Sequence, residues 1–266
     1  AEVSIGRLFI AGVVPGIMLM ALFSGYIAVQ AALRRKEFPA PGARTSLAHK
    51  ILALRYLGPI TLLIVAVMAT IYAGIATPTE AAAFGVVGAL VISAATGSLS
   101  MSSMADSLKG TVRTTSMIAL ILVTAAVLST SMAFLGIPRG LAEYIAGFGL
   151  SKYQLIAAIC VLYIILGCFL DGISMIVLTT AVLLPLVQAA NIDMVWFGIF
   201  VVLVVEMSCI TPPVGFNLFV IQGLTGDGIG SVARAAFPFF LLMVIAVAII
   251  TAFPDVVLFL PRQMSQ

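Results

Sequence analysis

Charge is scarce in this chain: Asp, Glu, Lys and Arg make up only 9% of its 266 residues, while 62% are hydrophobic. Soluble domains usually carry roughly a quarter charged residues, so a water-exposed globular surface is excluded. Histidine occurs once, as His49, which leaves no partner for an imidazole-based metal site or catalytic triad. The three cysteines, Cys160, Cys168 and Cys209, lie in apolar segments without C-x-x-C spacing. They read as small buried hydrophobes, and no disulfide framework or thiolate metal site is expected. No G-x-x-x-x-G-K-[ST], H-E-x-x-H or G-x-S-x-G occurs, so neither ATP hydrolysis by the chain nor enzyme chemistry is supported.

Basic residues exceed acidic ones by three, but Arg34, Arg35, Lys36, Arg44, Lys50 and Arg55 all fall in one short stretch. That cluster reads as a solvated loop and a cytoplasmic marker, not as a nucleic-acid site. The first residue is Ala1, and no charged segment precedes a short apolar one. No signal peptide is expected, and the chain is expected to begin downstream of a natural start.

Long apolar runs are what the chain has in abundance. Mean hydropathy is +1.25, and about six stretches approach the roughly 20 residues needed to cross a bilayer. The expected class is an all-α polytopic membrane protein. Gly6 to Leu33 reads as a first span and residues 37–45 as a linker. Ser46 to Leu57 reads as an interfacial helix, with Leu47, Ile51, Leu54 and Leu57 on one face. Pro59 to Ala76 is a second span, with Pro59 in its first turn. A third span follows Thr77-Pro78-Thr79-Glu80, where Glu80 reads as a helix-capping acid. A fourth follows the polar residues 97–110, a second interfacial helix is expected over 136–151, and a last span over Phe237 to Leu260. Counted in order, these crossings put the basic cluster of Arg34 to Arg55 and the later pair Lys109 and Arg113 on one side of the membrane. The corresponding divisions are a first-repeat closing helix (1–36), a cytoplasmic linker and interfacial helix (37–57), scaffold spans (58–135), a transport hairpin and broken helix (136–223), and an amphipathic linker with the final span (224–266).

Between Lys152 and Arg234 the only charges are Asp171, Asp193, Glu206 and Asp227. An ionisable group at membrane depth costs several kcal/mol and marks a functional site by default. Asp171 opens D-G-I-S (Asp171 to Ser174), set between the apolar runs Tyr153 to Leu170 and Met175 to Val187. The second run reaches Pro185 after about 11 residues, too short to cross, which favours a re-entrant hairpin over an extracellular loop. Trp196 to Gln222 is interrupted by T-P-P-V-G-F-N (Thr211 to Asn217), and a double proline breaks a helix.

Non-helical backbone at such depth is tolerated only where protein buries it or it lines a cavity. Free carbonyls at a half-helix C-terminus suit a desolvated sodium ion, and free amides at a half-helix N-terminus attract a carboxylate. Candidate sodium and substrate residues are Asp171, Gly172, Ser174, Thr179, Thr180, Thr211, Pro212, Pro213, Gly215 and Asn217, with Glu206 as a coupling acid. Alternatives stay open. Asp171 also reads as a helix cap at a wet loop, Thr179 and Thr180 as hydroxyls bonded to their own helix, and Glu206 as an acid paired with another helix or subunit.

Four motifs in order carry a resemblance over nearly the whole chain. They are L-F-I-A-G-V-V-P-G-I-M-L (Leu8 to Leu19), G-I-A-T-P-T-E-A-A-A-F-G (Gly74 to Gly85), F-L-D-G-I-S-M-I-V-L-T-T-A-V-L-L-P-L-V (Phe169 to Val187) and I-T-P-P-V-G-F-N-L-F-V (Ile210 to Val220). Together they resemble the large membrane subunit of TRAP transporters, the tripartite ATP-independent periplasmic systems. The resemblance implies an elevator-type fold of two inverted repeats, each with a re-entrant hairpin and a proline-broken helix. It also implies sodium-coupled import of an organic acid, a C4-dicarboxylate or a sialic-acid-like solute, across the bacterial inner membrane. The partners it implies are a small membrane subunit, a periplasmic substrate-binding protein, the N-terminal half of the large subunit and the lipid bilayer. Members are longer than this chain and carry a first-repeat hairpin absent from these residues, so a C-terminal portion with half a site is expected. The alternatives are a divalent-anion/sodium symporter without a binding protein, and a non-transporting membrane scaffold.

Overall fold

Proline and capping chemistry place most of the helix ends. The computed structural model describes residues 3–33, 47–137, 140, 143–144, 147, 151–211 and 215–263. Its helices are α1 (Ile5–Ala11), α2 (Val13–Leu33), α3 (Leu47–Tyr72), α4 (Pro78–Ala95), α5 (Met101–Phe134), α6 (Lys152–Gly167), α7 (Gly172–Ala189), α8 (Met194–Cys209), α9 (Phe216–Thr225), α10 (Ile229–Ala252) and α11 (Asp255–Gln263). No strand occurs among the described residues. Residues Ile5–Leu33, Pro78–Ala95, Met101–Met132 and Ile229–Ala252 are each long and apolar enough to span a membrane. This is an all-α polytopic membrane protein. The linker over 37–45, and most of the interfacial helix expected over 136–151, lie outside the described residues. The chain divides into two compact units, residues 26–115 and residues 1–25 with 116–266.

The unit of residues 26–115 centres on the α3–α4 hairpin. Here the helix runs through Pro59, so the interfacial helix and second span expected as separate elements are continuous. Pro59 lacks only the amide that would reach the Arg55 carbonyl, and the flanking turns hold the helix together. After α3, Gly74 takes a left-handed φ of 68° and Ile75 N–H donates to the Thr70 carbonyl at 3.0 Å, a glycine-type helix stop. Thr77 then caps α4 in a reciprocal box. Glu80 N–H donates to Thr77 Oγ1 (3.4 Å), and Thr77 N–H and Oγ1 donate to Glu80 Oε2 (2.8 and 2.7 Å). The capping reading of Glu80 is the one the structure adopts. Much of the polar stretch 97–110 is helical, because Ser100 and Ser103 cap each other's amides (2.9 and 3.1 Å) and start α5 at Met101.

In the other unit the axis is α8, apolar except for Glu206 and Ser208 and buried from Trp196 to Cys209 apart from Gly198, Val202 and Glu206. The hairpin α6–α7 packs along it, as do α1, α10 and α11. Ser151 and Gln154 form a capping box at the start of α6, and Asp193 Oδ1 accepts the amides of Val195 (2.8 Å) and Trp196 (3.0 Å) at the start of α8. The indole N–H of Trp196 donates to the Ile250 carbonyl at 2.9 Å, filling the place that the absent amide of Pro254 leaves. That stop ends the last span at Ala252, earlier than the expected Leu260, and the span begins at Ile229 because the helix continues through Pro238.

Candidate functional site

Cys168 to Leu170 follow α6 and lead into the N-cap of α7. Asp171 is that cap: its carboxylate accepts Ser174 N–H at 3.2 Å and the Ser174 hydroxyl. Of these tip residues Asp171, Gly172 and Ser174 are partly buried and Ile173 is exposed. Beyond the tip, α7 is 18 residues long but bends by 61° between Thr180 and Val182. Pro185 explains the bend, since its ring lacks an amide for the Ala181 carbonyl and crowds it. The two pieces, Gly172–Thr180 and Val182–Ala189, each rise roughly 12–14 Å at 1.5 Å per residue. Neither alone crosses a hydrocarbon core of about 30 Å, which is compatible with a re-entrant hairpin.

The second interruption lies between Cys209 and Phe216. Pro212 and Pro213 lie outside the described residues, but their chemistry acts on described ones. They occupy the i+4 positions whose amides would serve the carbonyls of Ser208 and Cys209. Thr211 N–H reaches the Ser208 carbonyl instead, at 3.1 Å, while the Cys209 carbonyl receives no donor among the described residues. The Thr211 hydroxyl donates back to the Met207 carbonyl at 2.9 Å, leaving its lone pairs available, and Gly215 N–H donates to the Thr211 carbonyl at 3.0 Å.

Gly215 then caps α9 without a side-chain partner, so the amides of Phe216 and Asn217 are unpaired among the described residues, while Leu218 N–H donates to the Gly215 carbonyl at 2.9 Å. A Cβ on Gly215 would stand 2.6 Å from the Cys209 oxygen and 2.8 Å from the Thr211 oxygen, so two carbonyls converge where only glycine fits.

The hairpin turn lies against the last turn of α8, just before the break. A Cβ on Gly167 would stand 2.2 Å from both Cβ and Oγ of Ser208, and one on Gly172 would stand 2.9 Å from Cγ1 of Val205. Met175, one turn into α7, has its sulfur 3.9 Å from the buried Ser208 hydroxyl, which donates to the Val205 carbonyl at 2.6 Å. Glycines at both ends of the hairpin turn let its backbone rest on the last turn of α8.

The other expected residues fall elsewhere. Thr179 is buried, donates to its own helix at the Met175 carbonyl (2.8 Å) and pairs with the Tyr163 hydroxyl at 2.6 Å. Thr180 donates to the Ile176 carbonyl and faces a separate apolar cavity of about 410 Å³ between α5 and α7. Glu206 lies on the face of α8 away from Val205 and Ser208. With Asp227 it supplies the carboxylates of a largely apolar cavity of about 730 Å³ between α2, α8, α9 and α10, which Thr225 and Ser231 also line. Asn217 is partly buried, with no side-chain hydrogen bond among the described residues. Sequence reasoning missed Tyr163, Gly167 and Ser208. The spacing of Tyr163 and Gly167 on α6 could have tied those two together, since residues four apart on a helix share a face. Among the described residues no cluster of three His, Cys, Asp or Glu side chains is arranged to hold a metal ion.

Comparison with known proteins fits this arrangement to one family. Residues 1–256 match the description "Tripartite ATP-independent periplasmic transporter, DctM component". The C4-dicarboxylate TRAP transporter large permease protein DctM of Rhodobacter capsulatus is 35% identical over 98% of this chain and 59% of its own length. The sialic acid TRAP transporter large permease protein SiaM of Vibrio cholerae is 30% identical over 98% of this chain and 61% of its own. The ectoine TRAP transporter large permease protein TeaC of Halomonas elongata is 30% identical over 97% of this chain and 60% of its own. The chain thus spans about three fifths of the length of these relatives, which are transporter permeases and not enzymes. This chain belongs to the DctM component family of tripartite ATP-independent periplasmic transporters.

Proposed function

We propose that this chain supplies half of the transport site of a sodium-coupled TRAP importer for an organic acid in the bacterial inner membrane. The observation that carries the reading is the packing of the hairpin turn on the last turn of a proline-broken helix. The end of α8 offers the Cys209 carbonyl, without an amide partner among the described residues, and the Thr211 hydroxyl oxygen, hard ligands of the kind a dehydrated sodium ion takes. The start of α9 offers unpaired amides at the positive end of a helix dipole, suited to a carboxylate.

In this reading Asp171, Ser174 and Thr211 contribute oxygen to the cation, and Gly172 and Gly215 keep the backbones close. Pro212 and Pro213 withhold amides from the end of α8, and Asn217 stands beside the solute. Sodium offsets the Asp171 charge and orders the break, so that the carboxylate binds after the ion. The solute class is a C4-dicarboxylate or a sialic-acid-like acid, by analogy with the named relatives. The proposed partners are a small membrane subunit, a periplasmic binding protein that delivers the solute, and the N-terminal half of the large subunit.

Thr211→Val tests the assignment in proteoliposomes containing the whole transporter. Uptake at limiting sodium should fall while membrane insertion stays normal; an unaltered sodium dependence would count against the site. Uptake that persists without the binding protein would favour a divalent-anion symporter instead.

A further inference from the structure

The hairpin contains a buried polar pair that none of the proposed ligand roles uses. Tyr163 on α6 and Thr179 on α7 are 1% and 8% exposed, and their hydroxyl oxygens lie 2.6 Å apart. Thr179 has one proton, and the 2.8 Å contact with the Met175 carbonyl takes it. Tyr163 is therefore the donor in the pair, and Thr179 is both acceptor and donor.

The pair also occupies a particular level of the hairpin. On α6, which ends at Gly167, Tyr163 lies one turn before that end. Counting forward in fours from Asp171 along α7 gives Met175 and then Thr179. Gly167 and Met175 are the two residues that meet Ser208 at the end of α8. The hairpin thus has three levels: the tip at Asp171, the contact with α8 one turn below, and the Tyr163–Thr179 pair one turn below that.

We infer that the Tyr163–Thr179 hydrogen bond is a latch that sets the register of the two hairpin arms. Through Gly167 and Met175 it fixes the distance of the tip from the break. Tyr163 and Thr179 are then positioning residues for the cation site and touch neither ion nor solute. The inference rests on the site proposed above and deepens it by naming what holds that site's two halves in place.

The chemistry of the pair selects the variants. Tyr163→Phe leaves Thr179 satisfied by its own helix and orphans no buried group. Thr179→Val strands a buried tyrosine hydroxyl and perturbs folding as well. Tyr163→Phe is therefore the informative change, and Thr179→Ser, which keeps the hydroxyl, is the rescue. Two readouts are taken on the whole transporter in proteoliposomes. One is the sodium concentration that half-saturates uptake. The other is the distribution of distances between spin labels at Ile173 and Phe219, both exposed, in a background with Cys160, Cys168 and Cys209 replaced by serine.

Tyr163→Phe should raise half-saturating sodium severalfold, leave the maximal rate at saturating sodium near that of the parent, and broaden the label distances. Thr179→Ser should match the parent in both. Unchanged distances overturn the latch, and broadened distances with unchanged sodium affinity overturn its positioning role. If the parent takes up solute without sodium, the proposed coupling fails. The latch is then judged on the distances alone, which stand or fall independently of it.

Discussion

The turns of two helical hairpins use the same ingredients and come to different ends. Between α3 and α4, Thr77 and Glu80 cap one another; between α6 and α7, the Asp171 carboxylate accepts both the amide and the hydroxyl of Ser174. Each hairpin also has a glycine at a point of close approach, Gly88 against Leu63 and Gly172 against Val205. At Glu80 the carboxylate is exposed and its hydrogen bonds are complete within its own turn. The level below Asp171 rests on a helix whose Cys209 carbonyl has no amide partner among the described residues, Pro213 standing where the donor would be. An acid beside a hydroxyl at a helix start is thus a cap in both places. What distinguishes the second is the interrupted neighbour against it.

Substitutions that separate the two hairpins follow, in order of expected size. Gly215→Ala should be the most damaging. Its Cβ would meet only main-chain atoms, at 2.6 to 2.9 Å, which cannot move aside. A cost of about 1–3 kcal/mol in thermal stability and near-complete loss of uptake are expected. Asp171→Asn keeps a cap but removes the charge, and should raise half-saturating sodium roughly tenfold, equivalent to about 1.4 kcal/mol. Glu80→Gln, its counterpart, should leave uptake within about twofold of the parent, since a twofold change corresponds to only ~0.4 kcal/mol; a tenfold effect would erase the contrast.

Gly88→Ala should be mild even though its Cβ would stand 2.3 Å from Leu63, because the atom it meets is the free end of a flexible side chain. The gain in helix propensity of about 1 kcal/mol offsets the crowding. Thr77→Ala should be the smallest in function, costing about 1 kcal/mol of stability in a detergent melt with uptake unaltered.

Those contrasts also mark what the sequence could and could not reveal. The break after Cys209 was legible because proline lacks an amide and its effect falls at a fixed offset. The hairpin tip was legible because four small or polar residues interrupt two apolar runs. Pro59 misled for the same reason that Pro212 did not: one proline removes one hydrogen bond, and a long apolar helix absorbs it. The start of α5 was hidden because serine-rich sequence reads as loop, although Ser100 and Ser103 are three apart, as reciprocal caps require. The contact of Gly167 with Ser208 joins residues 41 apart, and nothing in local pattern encodes it. Glu206 drew notice as an acid in an apolar run, but helical spacing carries it to the face of α8 away from the tip, beside Asp227.

The central claim is that tip and break act as one cation site, and a double-mutant cycle on half-saturating sodium measures that directly. Asp171→Asn, Thr211→Val and the double variant are compared with the parent in proteoliposomes. A shared site predicts that the double variant departs from additivity by about 1 kcal/mol or more, whereas independent sites add to within about 0.5 kcal/mol. Additive effects, or a parent whose uptake ignores sodium, would contradict the account.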